Sequence, residues 1–183
     1  MSVMEFVLVA HAIIVGLAVA EILRGFSELF RSSNTNVSYR LVLIAVWTLL
    51  LLLQLWWAVW HVSDHDVWTF TEFLLFLLPV GILYVIARLC FPAELTDVDL
   101  EAYYSRVAEK IWWLVAATYA SFAFLLAPFI YGDIRPAVFA SQIAIVVLAL
   151  VSSRLKSPPF QIVVIVVMLA QVLWRGFAYS IGS

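Results

Sequence analysis

Apolar runs of roughly 18 to 24 residues follow one another along the whole chain, and about 20 such residues cross the hydrocarbon core of a bilayer. Most charged residues lie in the short segments between these runs or near their ends. Because the core of a bilayer holds no water to satisfy open backbone groups, each run is predicted to be helical. Hydrophobic residues make up 66% of the chain and charged residues only 12%, whereas roughly a quarter of a soluble domain is charged. The sequence therefore predicts an all-α integral membrane protein.

Six transmembrane helices are predicted to form one bundle, a single transmembrane domain covering residues 1–183. A short amphipathic helix at about 97–110 is predicted between the third and fourth spans, because apolar and charged residues alternate there at helical spacing. We expect this helix to lie in the cytoplasmic interface. The six spans are expected at about 3–26, 41–62, 70–91, 111–131, 136–153 and 158–179.

Most basic residues fall on one side of the predicted bundle. By the positive-inside rule, that side is cytoplasmic. We therefore expect a multi-pass protein of a bacterial-type inner (plasma) membrane, with both the N-terminus and the C-terminus outside. The basic residues on the cytoplasmic side are Arg24, Arg31, Arg40, Arg88, Arg106, Lys110, Arg154 and Lys156. The aromatic residues expected to anchor that boundary are Tyr39, Tyr103, Tyr104, Trp112 and Trp113.

Four polar residues on four different spans lie at a similar depth from the outer side: His11, Gln54, Gln142 and Gln171. One interpretation is that they line a cavity open to the outside. The other is interhelical hydrogen bonding, which is the usual role of polar side chains in a membrane bundle.

Glu21 and Arg24 are ionisable residues near the inner end of the first span, and burying such residues in a membrane is costly. With Glu28 and Arg31 they form one stripe of alternating charge along the helix. This stripe is either a structural ladder, or Glu21 and Arg24 form a cytoplasmic gate or proton-relay pair. Both interpretations remain open from the sequence.

Two features of the spans concern helix geometry. Pro79 and Gly81 lie in the middle of the third span, where the proline removes a backbone hydrogen bond and is expected to kink the helix. Ala12, Gly16 and Ala20 form a stripe of small residues on the first span, which would allow close approach of another helix. That helix belongs either to this chain or to another one.

The outer loop between the second and third spans contains two histidines and two aspartates: His61, Asp64, His65 and Asp66. These side chains are candidate ligands for a divalent metal such as Zn²⁺. Their spacing matches no established metal motif, and polar residues are expected in any loop. No other cofactor is predicted, and no catalytic residue, because the chain lacks the common phosphate-binding, metalloprotease and hydrolase motifs. Without a basic patch, nucleic-acid binding is not expected.

Three functions are compatible with this sequence. The first is a channel or transporter for a cation, a proton or a small neutral solute, and it is the one we expect. The acidic outer loops make an anion the less favoured solute. The second is a non-catalytic membrane subunit or assembly partner of a larger complex, and the third is a metal-binding membrane enzyme. Beyond the lipid bilayer, the expected partner is a second copy of the chain, forming a homo-oligomer, or another membrane protein.

Overall fold

The computed structural model describes residues 3–32, 36–59, 68–93, 98–129 and 135–178. This part of the chain is helical and contains no strand. A π-helical turn, Phe122–Leu126, joins two of the helices. The helices are α1 (Val3–Arg31), α2 (Tyr39–Ala58), α3 (Phe70–Cys90), α4 (Leu100–Ser121), α5 (Ala127–Phe129), α6 (Pro136–Arg154) and α7 (Pro158–Ala178).

Among the described residues, five segments are long and apolar enough to cross a membrane: Val3–Arg31, Tyr39–Ala58, Phe70–Cys90, Pro136–Arg154 and Pro158–Gly176. The all-α class is therefore confirmed, and the chain has the helices of a multi-pass membrane protein. Helix α4 is not one of the five, since its first half carries several charged residues. The count of six spans stays a prediction.

The predicted interfacial helix at 97–110 is not a separate element. Helix α4 runs without interruption from Leu100 to Ser121, through the boundary that the sequence pattern placed at 110. The physical reason is that this stretch contains neither proline nor glycine, so nothing ends the helix where its charged half meets its apolar half. The amphipathic segment is thus the first half of a longer helix.

Local capping explains where two of the helices begin. At α3, the Glu72 backbone N–H donates to the Thr69 hydroxyl at 3.2 Å, and the Thr69 N–H donates to the Glu72 carboxylate at 2.7 Å. This reciprocal capping box is what the spacing of Thr and Glu predicts. At α4, the Asp99 carboxylate accepts the N–H groups of Glu101 and Ala102. Each such cap stabilises its helix by about 1 kcal/mol.

Five helices pack in a closed ring, in which α2, α3, α4, α6 and α7 each contact the next and α7 contacts α2 again. Helix α1 packs against α2 and α3. In lipid no hydrophobic force drives helices together, so close van der Waals packing and interhelical hydrogen bonds must hold the ring. Large side chains fill its interior, and Trp47, Trp112 and Tyr104 are fully buried.

Helix α1 approaches α3 closely at a glycine. A Cβ atom added to Gly25 would lie 2.1 Å from Cδ2 of Phe91, the residue at the C-terminal end of α3. The Phe91 ring is buried and packs edge-on against Phe26 at 5.4 Å between centroids. Glycine is therefore required here by the close approach of the ring.

The π-helical turn Phe122–Leu126 comes just before Pro128. A proline ring clashes with the carbonyl of the residue four positions earlier in a regular helix, which here is Phe124. Widening the helix by one residue at this point relieves that clash and lets the chain continue helically through Ala127–Phe129. The π-helical turn begins three residues after Tyr119, which is about one turn of helix.

Candidate functional site

Four buried hydrogen-bond donors have no partner within the part of the chain that the structure describes. One is the hydroxyl of Ser152 on α6, and the other three come from three further helices of the ring. These three are the indole Nε1 of Trp47 on α2, the hydroxyl of Tyr119 on α4, and Nη2 of Arg175 on α7. All three atoms are buried. We call Trp47, Tyr119 and Arg175 the interior donor set.

Contacts between these side chains place them together. The rings of Trp47 and Tyr119 stack with 6.1 Å between centroids and 21° between planes. The Trp47 N–H lies beside the Tyr119 hydroxyl without meeting the geometry of a hydrogen bond. The Arg175 guanidinium lies within electrostatic range of the same hydroxyl. The donors of α2, α4 and α7 therefore share one region of the bundle interior.

Gln142 on α6 adds an acceptor, because its Oε1 atom is buried and is also without a partner among the described residues. The depth of Gln142 in the bundle can be inferred from the contact between α6 and the π-helical turn that follows α4. Phe124 of that turn and Phe139 of α6 pack edge-on with 5.6 Å between ring centroids. The direction of the chain reverses between these helices, so we expect Gln142, about one turn from Phe139, to lie near the level of Ser121.

Buried polar groups in native proteins are almost always paired with protein, water or a ligand, and an unpaired one costs about 1–3 kcal/mol. Five such atoms on four helices of one ring, the Ser152 hydroxyl included, are therefore more than a packing accident. The π-helical turn adds a second unusual feature, since the Phe122 ring of that turn packs edge-on against Tyr119 at 6.0 Å. Turns of this kind occur frequently at functional sites.

The predicted outer polar set is divided between two places. Gln54 donates to the carbonyl of Val172 at 3.3 Å, and the neighbouring Gln171 donates to Ser141 at 3.2 Å. Ser141 precedes Gln142, so the three glutamines follow one side of the ring across α2, α7 and α6. Two of the three thus form the interhelical hydrogen bonds that were the alternative interpretation.

His11, the fourth member of that set, lies elsewhere. It is buried between α1 and α3, with its ring 5.2 Å from that of Phe76 and tilted by 35°. The described contacts therefore give no common cavity for His11 and the glutamines.

Glu21 and Arg24 form an ion-pair ladder with a member that the sequence pattern missed. Arg24 contacts Glu21 at 3.0 Å and Glu28 at 2.7 Å along α1. Arg88 of α3 contacts the second carboxylate oxygen of Glu21 at 2.9 Å. Glu21 is thus paired both within its helix and across to α3, which favours the structural ladder over a gate or relay.

A buried arginine at the inner end of the ring was not singled out by sequence reasoning. Arg40, at the start of α2, is only 8% exposed. Its Nη1 atom donates to Oε1 of Gln161 on α7 at 2.8 Å, and its Nη2 atom forms an ion pair with Glu101 on α4. Its guanidinium also lies 4.3 Å above the ring centroid of Tyr104.

The hydrogen bonds around Arg40 extend to a fourth helix. The Tyr104 hydroxyl donates to Oε1 of Gln161 at 2.9 Å, and Trp112 Nε1 donates to the Tyr104 oxygen at 3.0 Å. Gln161 Nε2 donates to the Ser152 carbonyl of α6 at 3.0 Å. We call this the inner network; it comprises Arg40, Glu101, Tyr104, Trp112, Ser152 and Gln161.

The inner network could not be read from sequence because its members resemble ordinary boundary residues. Arg40 matches a basic residue flanking a span, and Tyr104 and Trp112 match interfacial anchors. Both aromatics are instead fully buried, whereas Trp113 and Tyr39 are exposed as anchors should be. The one available signal was Gln161, a polar residue just inside an apolar span.

An apolar layer separates the inner network from the interior donor set. Its side chains come from α2, α4 and α7 and are fully buried: Ile44, Val115, Ile165 and Met168. These buried apolar side chains disfavour a continuous aqueous path between the two polar regions along the three helices.

The other predicted residues are placed as follows. Pro79 is buried inside α3, with Gly81 two residues further along, and the kink stays a prediction. The stripe of Ala12, Gly16 and Ala20 is exposed, and among the described atoms none would lie within 4 Å of a Cβ at Gly16. The stripe therefore does not serve packing inside the described bundle. The candidate metal ligands His61, Asp64, His65 and Asp66 lie outside the described residues.

No family model matches the chain, and no match is found among the curated proteins or the solved structures. The chemistry of its own side chains is therefore the basis for a function.

Proposed function

We propose that this protein is a non-enzymatic transporter for a small polar solute, with six spans and both termini outside a bacterial-type inner membrane. The observation that carries the proposal is the interior donor set. Trp47, Tyr119 and Arg175 each carry a buried donor atom that is hydrogen-bonded to no acceptor within the described part of the chain. A solute that binds there in transit supplies one.

The apolar layer favours a transporter over an open channel. Ile44, Val115 and Ile165 are fully buried and lie between the two polar regions along α2, α4 and α7. A solute bound at the interior donor set can reach the cytoplasmic side only if helices move apart. Transport by alternating exposure of one site requires such a closed layer.

The inner network is suited to be the cytoplasmic closure. Arg40 connects α2 to α4 through Glu101 and to α7 through Gln161. When these contacts break, the inner ends of three helices of the ring are released together. The network is therefore assigned the role of holding the outward-facing state.

The donors also bear on the kind of solute. The charge of the outer loops favours a cation or a neutral molecule, but indole, phenol and guanidinium groups chiefly donate. A solute that presents acceptor atoms fits them better than a metal ion or a proton does. The expectation of a cation is therefore replaced in this proposal by an acceptor-bearing solute.

Flux into proteoliposomes tests the proposal. Purified protein is reconstituted, and the entry of sodium ion, glycerol and acetate is followed against protein-free vesicles that report passive leak. We expect flux above leak for an acceptor-bearing solute, glycerol or acetate. Tyr119→Phe should reduce it about tenfold, because one hydrogen bond to the bound solute is lost while the ring stacking is kept.

Tyr39→Phe is the matched control, since the Tyr39 side chain is exposed at the start of α2. It should leave the flux unchanged. If none of the three solutes enters faster than it leaks into empty vesicles, the protein does not transport them and the proposal fails.

A second candidate function is that of a subunit or assembly partner, and one observation favours it. Ala12, Gly16 and Ala20 present a smooth exposed face on α1 that no described helix covers. Gly16→Leu should then dissociate an oligomer seen in nanodiscs by light scattering. If the wild-type protein is monomeric at every concentration measured, the hypothesis that this face binds a second copy of the chain is contradicted.

A further inference from the structure

Arg175 differs from three other arginines of the bundle because no described carboxylate pairs with it. Arg24, Arg40 and Arg88 each pair with a glutamate. Among the described residues, no ion pair includes Arg175, and its Nη2 atom is nevertheless buried. A cation within a membrane bundle is costly unless an anion accompanies it.

The groups beside Arg175 are also donors. The indole N–H of Trp47 can only donate, and the Tyr119 hydroxyl has a free proton to give. Two acceptors without a partner stand against these donors, Oε1 of Gln142 and the oxygen of Tyr119 itself, and neither carries a negative charge to balance Arg175. Water alone supplies as many donors as acceptors, so it satisfies such a set less well than a species rich in acceptors.

We infer that the interior donor set binds a small monocarboxylate, with the Arg175 guanidinium facing the carboxylate and Trp47 and Tyr119 completing its hydrogen bonds. This inference rests on the proposed function and names its solute class. A planar guanidinium can form two parallel N–H···O bonds to the two oxygens of a carboxylate. A solute with a single acceptor atom cannot form this pair of bonds.

The solute must be small because the site lies within packed side chains. The Trp47 and Tyr119 rings are already stacked and buried, and the π-helical turn packs against the far side of Tyr119. Gln142 can donate through its amide nitrogen or accept through Oε1, so it also suits a hydroxyl on such an acid.

Acetate and acetamide form the decisive pair of probes, because they share size and shape and differ in charge. Binding of each to the full-length protein in nanodiscs is measured by titration calorimetry at constant sodium chloride. We expect acetate to bind at least about tenfold more tightly than acetamide, the factor associated with charge-assisted bonds. Equal binding of the two, or no saturable acetate signal, would overturn the inference and leave water as the partner of these donors.

Variants locate the site. Arg175→Gln should weaken acetate binding about tenfold or more. Arg175→Lys should recover part of the loss, because lysine restores the positive charge but cannot form two parallel hydrogen bonds to a carboxylate. Arg154→Gln is the matched control, since Arg154 is exposed at the end of α6. Size-exclusion profiles and circular dichroism verify folding, and the comparison of acetate with acetamide on wild type needs no variant. Unchanged acetate binding in folded Arg175→Gln would contradict the assignment.

The two proposals fail separately. Saturable, Arg175-dependent acetate binding without flux would uphold the site and end the transport proposal. Flux of glycerol together with no acetate binding would uphold transport and end the carboxylate assignment.

Discussion

Arg40 donates from Nη1 to Oε1 of Gln161 across 2.8 Å, and this bond joins α2 to α7 at the inner end of the ring. The two residues are 121 positions apart in the chain. Because Gln161 Oε1 also accepts from Tyr104, one amide oxygen holds three helices together.

Arg40→Ala should destabilise the protein by about 3 kcal/mol. The change removes one of the two donors to Gln161 Oε1 and the ion-pair partner of Glu101, and removing one member of a buried ion pair costs about 3–5 kcal/mol. The lower end applies because the Glu101 side chain is 44% exposed and can be solvated. Unfolding by SDS in mixed micelles measures the loss, and Arg154→Ala should change stability by less than about 0.5 kcal/mol.

Gly25→Ala should destabilise the contact between α1 and α3 by about 1–3 kcal/mol, the usual cost of overpacking. The added methyl group would overlap the buried Phe91 ring. Gly16→Ala is the matched control on the same helix, where a Cβ meets nothing described within 4 Å. It should raise helix stability by about 0.5–1 kcal/mol. Thermal melts of both variants suffice, and Phe91→Leu should partly rescue Gly25→Ala if the clash is the cause.

Glu21→Gln should lower stability by less than about 1 kcal/mol and leave solute flux intact. The ladder of Glu21, Arg24 and Arg88 is partly exposed, and such pairs contribute little once solvent screening is included. The loss should shrink further at high salt. A large loss of flux in a variant of normal stability would instead restore the gate or proton-relay interpretation.

Gln142→Met should stabilise the protein and weaken solute binding. Its orphaned Oε1 atom costs free energy in the absence of solute, so an apolar side chain of similar size should gain about 1 kcal/mol. Gln171→Met provides the contrast, because its amide donates to Ser141 and the change should destabilise. Melting temperatures of the two variants should therefore move in opposite directions. Destabilisation by both would mean that Gln142 has a partner.

Local signals predicted most of the helical architecture. Thr69 and Glu72 marked the start of α3 because a capping box is formed by residues three apart. Apolar length predicted the helices at Phe70–Cys90 and Pro158–Ala178 within a residue or two of their ends. The error at α4 arose because a change from amphipathic to apolar pattern was interpreted as a break, although no breaker residue accompanies it.

The candidate site was harder to predict from the sequence than the helices were. The depth of a residue along a helix does not show which neighbouring helix its side chain faces. His11 and Gln142 lie at similar depth, but His11 packs against Phe76 on α3 while Gln142 lies on α6. Tyr119 and Trp47 looked like ordinary aromatic residues of apolar spans. Only the ring order of the helices brings them together with Arg175.

Because α4 is continuous, it couples the positions of residues at its two ends. Glu101 stands in the inner network and Tyr119 in the interior donor set, about 27 Å apart at 1.5 Å per residue along one helix. A stiff rod cannot shorten, so a tilt that withdraws Glu101 from Arg40 must swing Tyr119 as well. In the proposed transport cycle, a movement that opens the bundle at one end of α4 would therefore also displace the side chain at its other end.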